Sequence, residues 1–195
     1  MARCIRIDKR EFFMHTSEKI QMLNESTPKE LLAKFDLGNE FPIDIRKLLS
    51  ELEIVVIPYD FSNLEKSDEY SQEVIKNGNI LGAVVPTDDK IGIFYRKFDS
   101  EKRIRFTLAH ELAHCCLHID PNNYSEHIEF RNTLFDKSTH EVTANIFAGE
   151  LLIPEEPLLY ALDNLITPTI NILSQIFGVS NNVMKARLEY LDIEI

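Results

Sequence analysis

Ile80-Leu81-Gly82-Ala83-Val84-Val85, then Pro86-Thr87-Asp88-Asp89-Lys90, then Ile91-Gly92-Ile93-Phe94-Tyr95 are two short apolar runs flanking a cluster of turn formers. This is the pattern of a β-hairpin. Shortly after it, Ser100 precedes a helical stretch over roughly 101–118, in which Ile104, Leu108, Leu112 and Cys115 recur at three- and four-residue spacing. A hairpin followed only by helices predicts an α+β fold, with a small, mostly antiparallel sheet packed against helices.

Working outward, Thr27, Pro28 and Glu30 match an N-cap, a proline at the first helical position and a capping-box acid, and Gly38 marks a stop. A helix over 28–37 follows. Pro42 and Asp44 open a second helical pattern, with Ile45, Leu48, Leu49 and Leu52 apolar, and Ile54–Tyr59 then switches to β-branched residues, giving a strand. Residues 1–27 are mixed and charged, with one short helix near Ser17–Leu23, and read as an N-terminal extension. Downstream, about twenty polar residues from Asp120 form a loop, and a helix starting near Ser138 or Thr139 is halted by Pro154. Residues 155–195 read as all helical. Within them Leu173–Ser180, followed by Val183, Leu188 and Leu191, has the helix, glycine turn and Ser-capped helix of a helix-turn-helix. The division is therefore an extension (1–27), a catalytic-type domain (28–154) and a C-terminal helical unit (155–195) packed on it.

The chain has 195 residues, 44% hydrophobic and 27% charged, within the range of folded globular chains and against disorder, collagen or coiled coil. A net charge of −11 repels polyphosphate, so direct nucleic-acid binding is not expected. Within 155–195 only Lys185 and Arg187 stand against six carboxylates, which favours a structural cover or docking face over a DNA reader. No apolar run reaches the roughly 18–20 residues of a membrane span, and the amino terminus lacks a signal-peptide apolar stretch. A cytoplasmic location is expected. Cys4 stands alone and Cys115 and Cys116 are adjacent, which predicts neither a structural disulfide nor a paired-cysteine zinc site.

His110-Glu111-Leu112-Ala113-His114 carries the chemistry. Residues four apart on a helix lie about 40° apart around its axis and about 6 Å along it, so two imidazoles can converge on one cation. Glu111, next to the first histidine, has its carboxylate where it can take a proton from a water that the metal activates. The third ligand has three candidates. His118 lies about 12 Å from His110 by helix rise, which makes it packing or a support for a ligand. Asp120 sits at the last-ligand position of the metzincin pattern, but Leu117 stands where that pattern needs a glycine. Glu141 fits best, because a second helix crossing the first can present a carboxylate to the open side of the metal. An equal account makes Glu141 the acid of a capping box whose N-cap is Ser138, and sequence physics leaves both open.

The stretch Arg105–His114 and the later Glu141-Val142-Thr143-Ala144-Asn145-Ile146-Phe147-Ala148-Gly149-Glu150-Leu151-Leu152-Ile153-Pro154 resemble the two signatures of the ImmA/IrrE family of metallo-endopeptidases. Similarity extends to Pro42–Ile45, Leu81–Ala83, Phe177–Ser180 and Arg187-Leu188, spanning roughly 28–191. The resemblance implies a zincin-like fold, Zn2+ held by His110, His114 and Glu141, and Glu111 as the catalytic carboxylate. It also implies a cytoplasmic bacterial or phage-borne protein that relieves repression by cutting a helix-turn-helix repressor. Ala113 stands at a position often glycine, and Cys115-Cys116 replace larger apolar residues. Glu150, nine residues past Glu141, falls on the opposite helix face and reads as a structural contact.

Two other function classes compete with the peptidase. One is a DNA-binding regulator built on the C-terminal helix-turn-helix, with a sensory metal, which the acidic charge opposes. The other is a non-catalytic antitoxin-like or toxin-like partner of a repressor, which an intact Glu111 opposes. Arg96, Lys97, Lys102, Arg103 and Arg105 read as a solvated helix start, with recognition of an acidic partner segment as the alternative. His15, His127, His140 and Tyr124 are candidate donors to a developing oxyanion, and the sequence does not rank them.

Overall fold

The computed structural model describes residues 15–59, 81–87, 90–124, 129–131 and 139–195. The elements are α1 (Thr16–Asn24), α2 (Pro28–Lys34), α3 (Ile45–Glu51), β1 (Ile54–Tyr59), β2 (Gly82–Pro86), β3 (Ile91–Arg96), α4 (Glu101–Leu117), β4 (Glu129–Arg131), α5 (Thr139–Leu152), α6 (Glu155–Asn164), α7 (Ile170–Ile176) and α8 (Asn181–Tyr190). The fold is α+β. β2 and β3, on either side of the expected turn, pair antiparallel with Val84 opposite Ile93. The Thr87 hydroxyl donates to the Lys90 carbonyl at 2.9 Å.

The sheet order is β1-β3-β2-β4, with β1 parallel to β3 and β4 antiparallel to β2. Neither hairpin strand is an edge. Among the described residues the edges are β1 and β4. The parallel β1–β3 pair is reached by a crossover, and β4 is a three-residue strand inside the loop expected to be irregular.

α4 is the organising helix. Twelve of its residues, including every position from Phe106 to Cys116, are buried, because β2 and β3 cover one side while α1, α3 and α5 cover others. A helix packed on so many sides shows no single apolar stripe. Its most extensive partner is α5, which begins at Thr139 and buries Ala144, Phe147, Ala148, Leu151 and Leu152. α1 lies within the segment assigned to an extension, yet Ile20 and Leu23 are fully buried against the core and α1 packs on α4. Asn24 adds a polar tie, its amide donating to the Ile119 carbonyl at 3.1 Å.

α7 and α8 are joined by a turn at Phe177–Ser180, and the Ser180 hydroxyl accepts from Val183 N at 3.3 Å as the expected N-cap. Gly178 adopts φ +63°, the left-handed region that glycine enters without steric cost. A Cβ there would meet Pro42 at 2.7 Å. Two arginines fasten this pair to the rest. Arg105 of α4 donates to the Gly178 carbonyl at 3.1 Å and the Ile43 carbonyl at 2.8 Å. Arg187 of α8 donates to the Ile153 carbonyl at 3.1 Å. Burial draws both guanidinium pKa values down from their ordinary level, and nearby carboxylates such as Glu101 and Glu150 oppose that shift. Arg105 therefore departs from the solvated helix start expected of its cluster.

No helix among the described residues is long and apolar enough to cross a membrane.

Candidate metal centre

His110 and His114 lie one turn apart in the middle of α4, and Glu141 lies in the first turn of α5. The packing of α5 across α4 brings all three together. His110 Nε2 is 2.9 Å from His114 Nε2. The Glu141 carboxylate faces both rings, with Oε2 3.2 Å from His110 Nε2 and Oε1 3.2 Å from His114 Nε2. Among the described residues this is the group of His, Cys, Asp and Glu side chains whose donor atoms converge closely enough to hold a metal.

The donor set fits a divalent transition metal. Metal–nitrogen and metal–oxygen bonds of about 2.0–2.1 Å in a tetrahedron require neighbouring donors about 3.3 Å apart, and the three separations here are 2.9 to 3.2 Å. Burial alone would raise the Glu141 pKa, but hydrogen bonds and charge from His110 and His114 outweigh it. The carboxyl is held well below its usual range and so remains an anion, as a ligand must.

Further hydrogen bonds aim both imidazoles. His110 Nδ1 is 3.0 Å from Asn145 Oδ1, a carboxamide oxygen that only accepts, so Nδ1 carries a proton and Nε2 is the nitrogen left for a metal. His114 Nδ1 is 2.9 Å from His118 Nδ1, and His118 Nε2 is 3.0 Å from Thr143 Oγ1. His118 thus supports His114 and stands outside the donor group, in line with the sequence reading. Asp120 is also outside it. Its carboxylate accepts from Asn122 N at 2.8 Å and shapes the turn after α4.

Glu111 is fully buried between the two histidines in sequence and beneath β2. A Cβ on Gly82 would lie 2.7 Å from Glu111 Oε1 and 2.6 Å from Thr107 Cγ2. Only a glycine lets the strand cross this close to the carboxylate. That contact has no direct sign in the sequence, although Gly82 stands within the Leu81–Ala83 stretch. The roles of Asn145 and Thr143 were also unread. Their signal is their place in the helix that carries Glu141.

The other candidates are dispersed. His140 stacks on His118, with ring centroids 4.2 Å apart and planes at 14°, and Tyr124 is partly buried against the core. His15 is exposed at the start of α1. His127 and Ser138 lie outside the described residues, so the capping-box partner proposed for Glu141 does too. Glu150 is near enough to Arg187 for its charge to oppose the downward shift of that guanidinium.

No curated protein and no solved structure matches the chain. A family model described as the IrrE N-terminal-like domain matches residues 74–189, a stretch that contains both signatures, the three converging donors and Glu111. The chain belongs to the ImmA/IrrE family of metallopeptidases.

Proposed function

We propose that the protein is a zinc-dependent endopeptidase in which His110, His114 and Glu141 hold the metal and Glu111 is the general base. The observation that carries this reading is the convergence of two imidazole nitrogens and a carboxylate at 2.9 to 3.2 Å, with the carboxylate of Glu111 buried on the same helix. Zinc, when bound, supplies Lewis acidity that polarises the scissile carbonyl and makes a water nucleophilic near neutral pH. Glu111 accepts the proton of the attacking water and delivers it to the departing amine nitrogen as the C–N bond breaks. Asn145 and His118 keep the two Nε2 lone pairs aimed at the same point. Burial beneath β2 excludes bulk solvent from Glu111 and limits its motion.

The substrate in this reading is a protein, and an extended segment adds to the sheet edge at β4 by backbone hydrogen bonding. β4 lies beside β2, the strand that covers Glu111. The family resemblance supports a helix-turn-helix repressor of a phage or mobile element as that substrate, in a cytoplasmic setting, with its cleavage relieving repression. The zincin-like description of the α4–α5–sheet arrangement rests on the same resemblance. The α7–α8 pair is read as a helix-turn-helix-like cover, and the net charge of −11 supports a role without DNA contact.

The test is Glu111→Gln. Zinc content and melting temperature should match wild type, because the replacement is nearly isosteric and lies outside the donor group. Hydrolysis of a neighbouring repressor should fall by at least the roughly hundred- to ten-thousand-fold typical of a lost acid–base group. A glutamine variant that derepresses as well as wild type would make the non-catalytic partner the better account.

A further inference from the structure

We propose that His118 and Thr143 form a directional hydrogen-bond relay that fixes the tautomer of His114 and so sets the metal affinity of the site. The inference rests on the metal reading above and adds a positioning role for two residues outside the donor group. The direction follows from the far end of the chain. Thr143 Oγ1 lies 3.1 Å from the Thr139 carbonyl and 3.0 Å from the His140 carbonyl. Carbonyls only accept, so the hydroxyl proton points to them and the Oγ1 lone pairs face outward. His118 Nε2, 3.0 Å away, must then carry a proton and donate. A neutral imidazole protonated at Nε2 has its lone pair at Nδ1, and His118 Nδ1 faces His114 Nδ1 at 2.9 Å.

Two imidazole nitrogens at that distance need one proton between them, and His114 has to supply it. His114 therefore carries a proton on Nδ1, which leaves Nε2, the atom 3.2 Å from Glu141 Oε1 and 2.9 Å from His110 Nε2, as its nitrogen for a metal. Four groups in series transmit one choice of tautomer from a helix carbonyl to a ligand nitrogen. The stack of His140 on His118, at 4.2 Å and 14°, holds the middle ring flat. Thr143 stands on α5, the helix that brings Glu141, so the third donor and the aim of the second are set by the same packing contact. His110 is aimed separately by Asn145 of α5.

The experiment uses the full chain, with Zn2+ as the probe. Affinity is read by competition with a chromophoric chelator, and histidine tautomers by 15N NMR of the metal-free protein. His118→Phe keeps a flat ring beside His140 and removes both nitrogens. Its zinc Kd should rise about ten- to a hundred-fold, and His114 should become a mixture of tautomers. Thr143→Val should shift both readouts in the same direction, and Thr143→Ser should restore them, while far-UV circular dichroism stays unchanged. If wild type binds zinc and both His118→Phe and Thr143→Val stay within two-fold of it, with His114 uniformly protonated at Nδ1, the relay is overturned and the metal reading stands. If wild type takes up no zinc, the metal reading fails, and the tautomer measurements on the metal-free chain decide the relay by themselves.

Discussion

Gly82 on β2 and Glu111 on α4 are in direct contact, so close that a methyl group on the glycine would sit 2.7 Å from the carboxylate oxygen. Gly82→Ala should therefore push the strand off the helix at Glu111, the proposed general base. The expected cost is about 1–3 kcal/mol, as for overpacking a filled site, or roughly 2–4 °C of melting temperature per kcal/mol. Peptidase activity should fall further than stability explains, with zinc affinity retained. Gly92→Ala is the control, because a Cβ there meets its nearest neighbour at an ordinary 3.6 Å. Equal activity for the two variants would show that the Gly82 approach has no bearing on Glu111.

Metal analysis of two carboxylate variants separates the candidate third ligands. Glu141→Ala should lose zinc by orders of magnitude in affinity, since the protein donor set becomes incomplete. Asp120→Ala should keep it, because that carboxylate is committed to Asn122 N at 2.8 Å. The reverse pattern would move the third ligand to Asp120.

Acid should strip the metal, and the slope should identify which groups take up protons. Glu141 is held ionised far below the usual carboxylate range, so its contribution persists as pH falls and disappears only through its depressed folded value. The imidazoles of His110 and His114 are then the ligands that protons reach first. On the acid side log Kd for zinc should climb by about two per pH unit lost. A slope near three would mean that Glu141 titrates with them.

Thiol chemistry provides an independent check on the packing around α4. Burial pushes the Cys115 and Cys116 thiols up, and Cys115 is raised further by Cys116 and the charge of Glu111. In a Cys4→Ser background, a disulfide reagent at neutral pH should release no stoichiometric thiol signal until denaturant is added. Full labelling of the native protein would contradict the burial of this helix.

Much of this architecture was legible because it rests on local pattern. The repeat of Ile104, Leu108 and Leu112 and the histidine spacing mark α4, and the Pro86–Lys90 turn marks the hairpin. β4 was not legible, because Glu129-Phe130-Arg131 is too short for any period and exists by pairing with a strand more than forty residues earlier. Strand order was hidden for the same reason, since tertiary packing alone decides that β1 joins β3 in parallel. The burial of α1 was hidden by the charged residues among its apolar ones. At the site, Glu141 was ambiguous because a capping acid and a ligand occupy the same helical position, and only the crossing of α5 over α4 places its oxygens against both rings. His118 was visible as one more histidine on the same stripe, but its link to Thr143 depends on that crossing too.

Gly178→Ala should destabilise the protein by about 2–4 kcal/mol, combining left-handed backbone strain with the 2.7 Å approach to Pro42. A calorimetric melting temperature equal to wild type would contradict this.

Arg105 gives the C-terminal helices a standing that their place in the sequence does not suggest. Its guanidinium, five residues before His110 on the same helix, finds its acceptors on the turn between α7 and α8 and on the chain just before α3. Removing the last two helices would leave a half-buried cation without one of its carbonyls, at a cost greater than the contact itself contributes. The segment therefore cannot be exchanged between proteins as a free-standing module. Recombination that replaced it would have to bring a matching carbonyl to Arg105, so the helix pair and the helix of His110 and His114 are expected to change together, as one unit of inheritance.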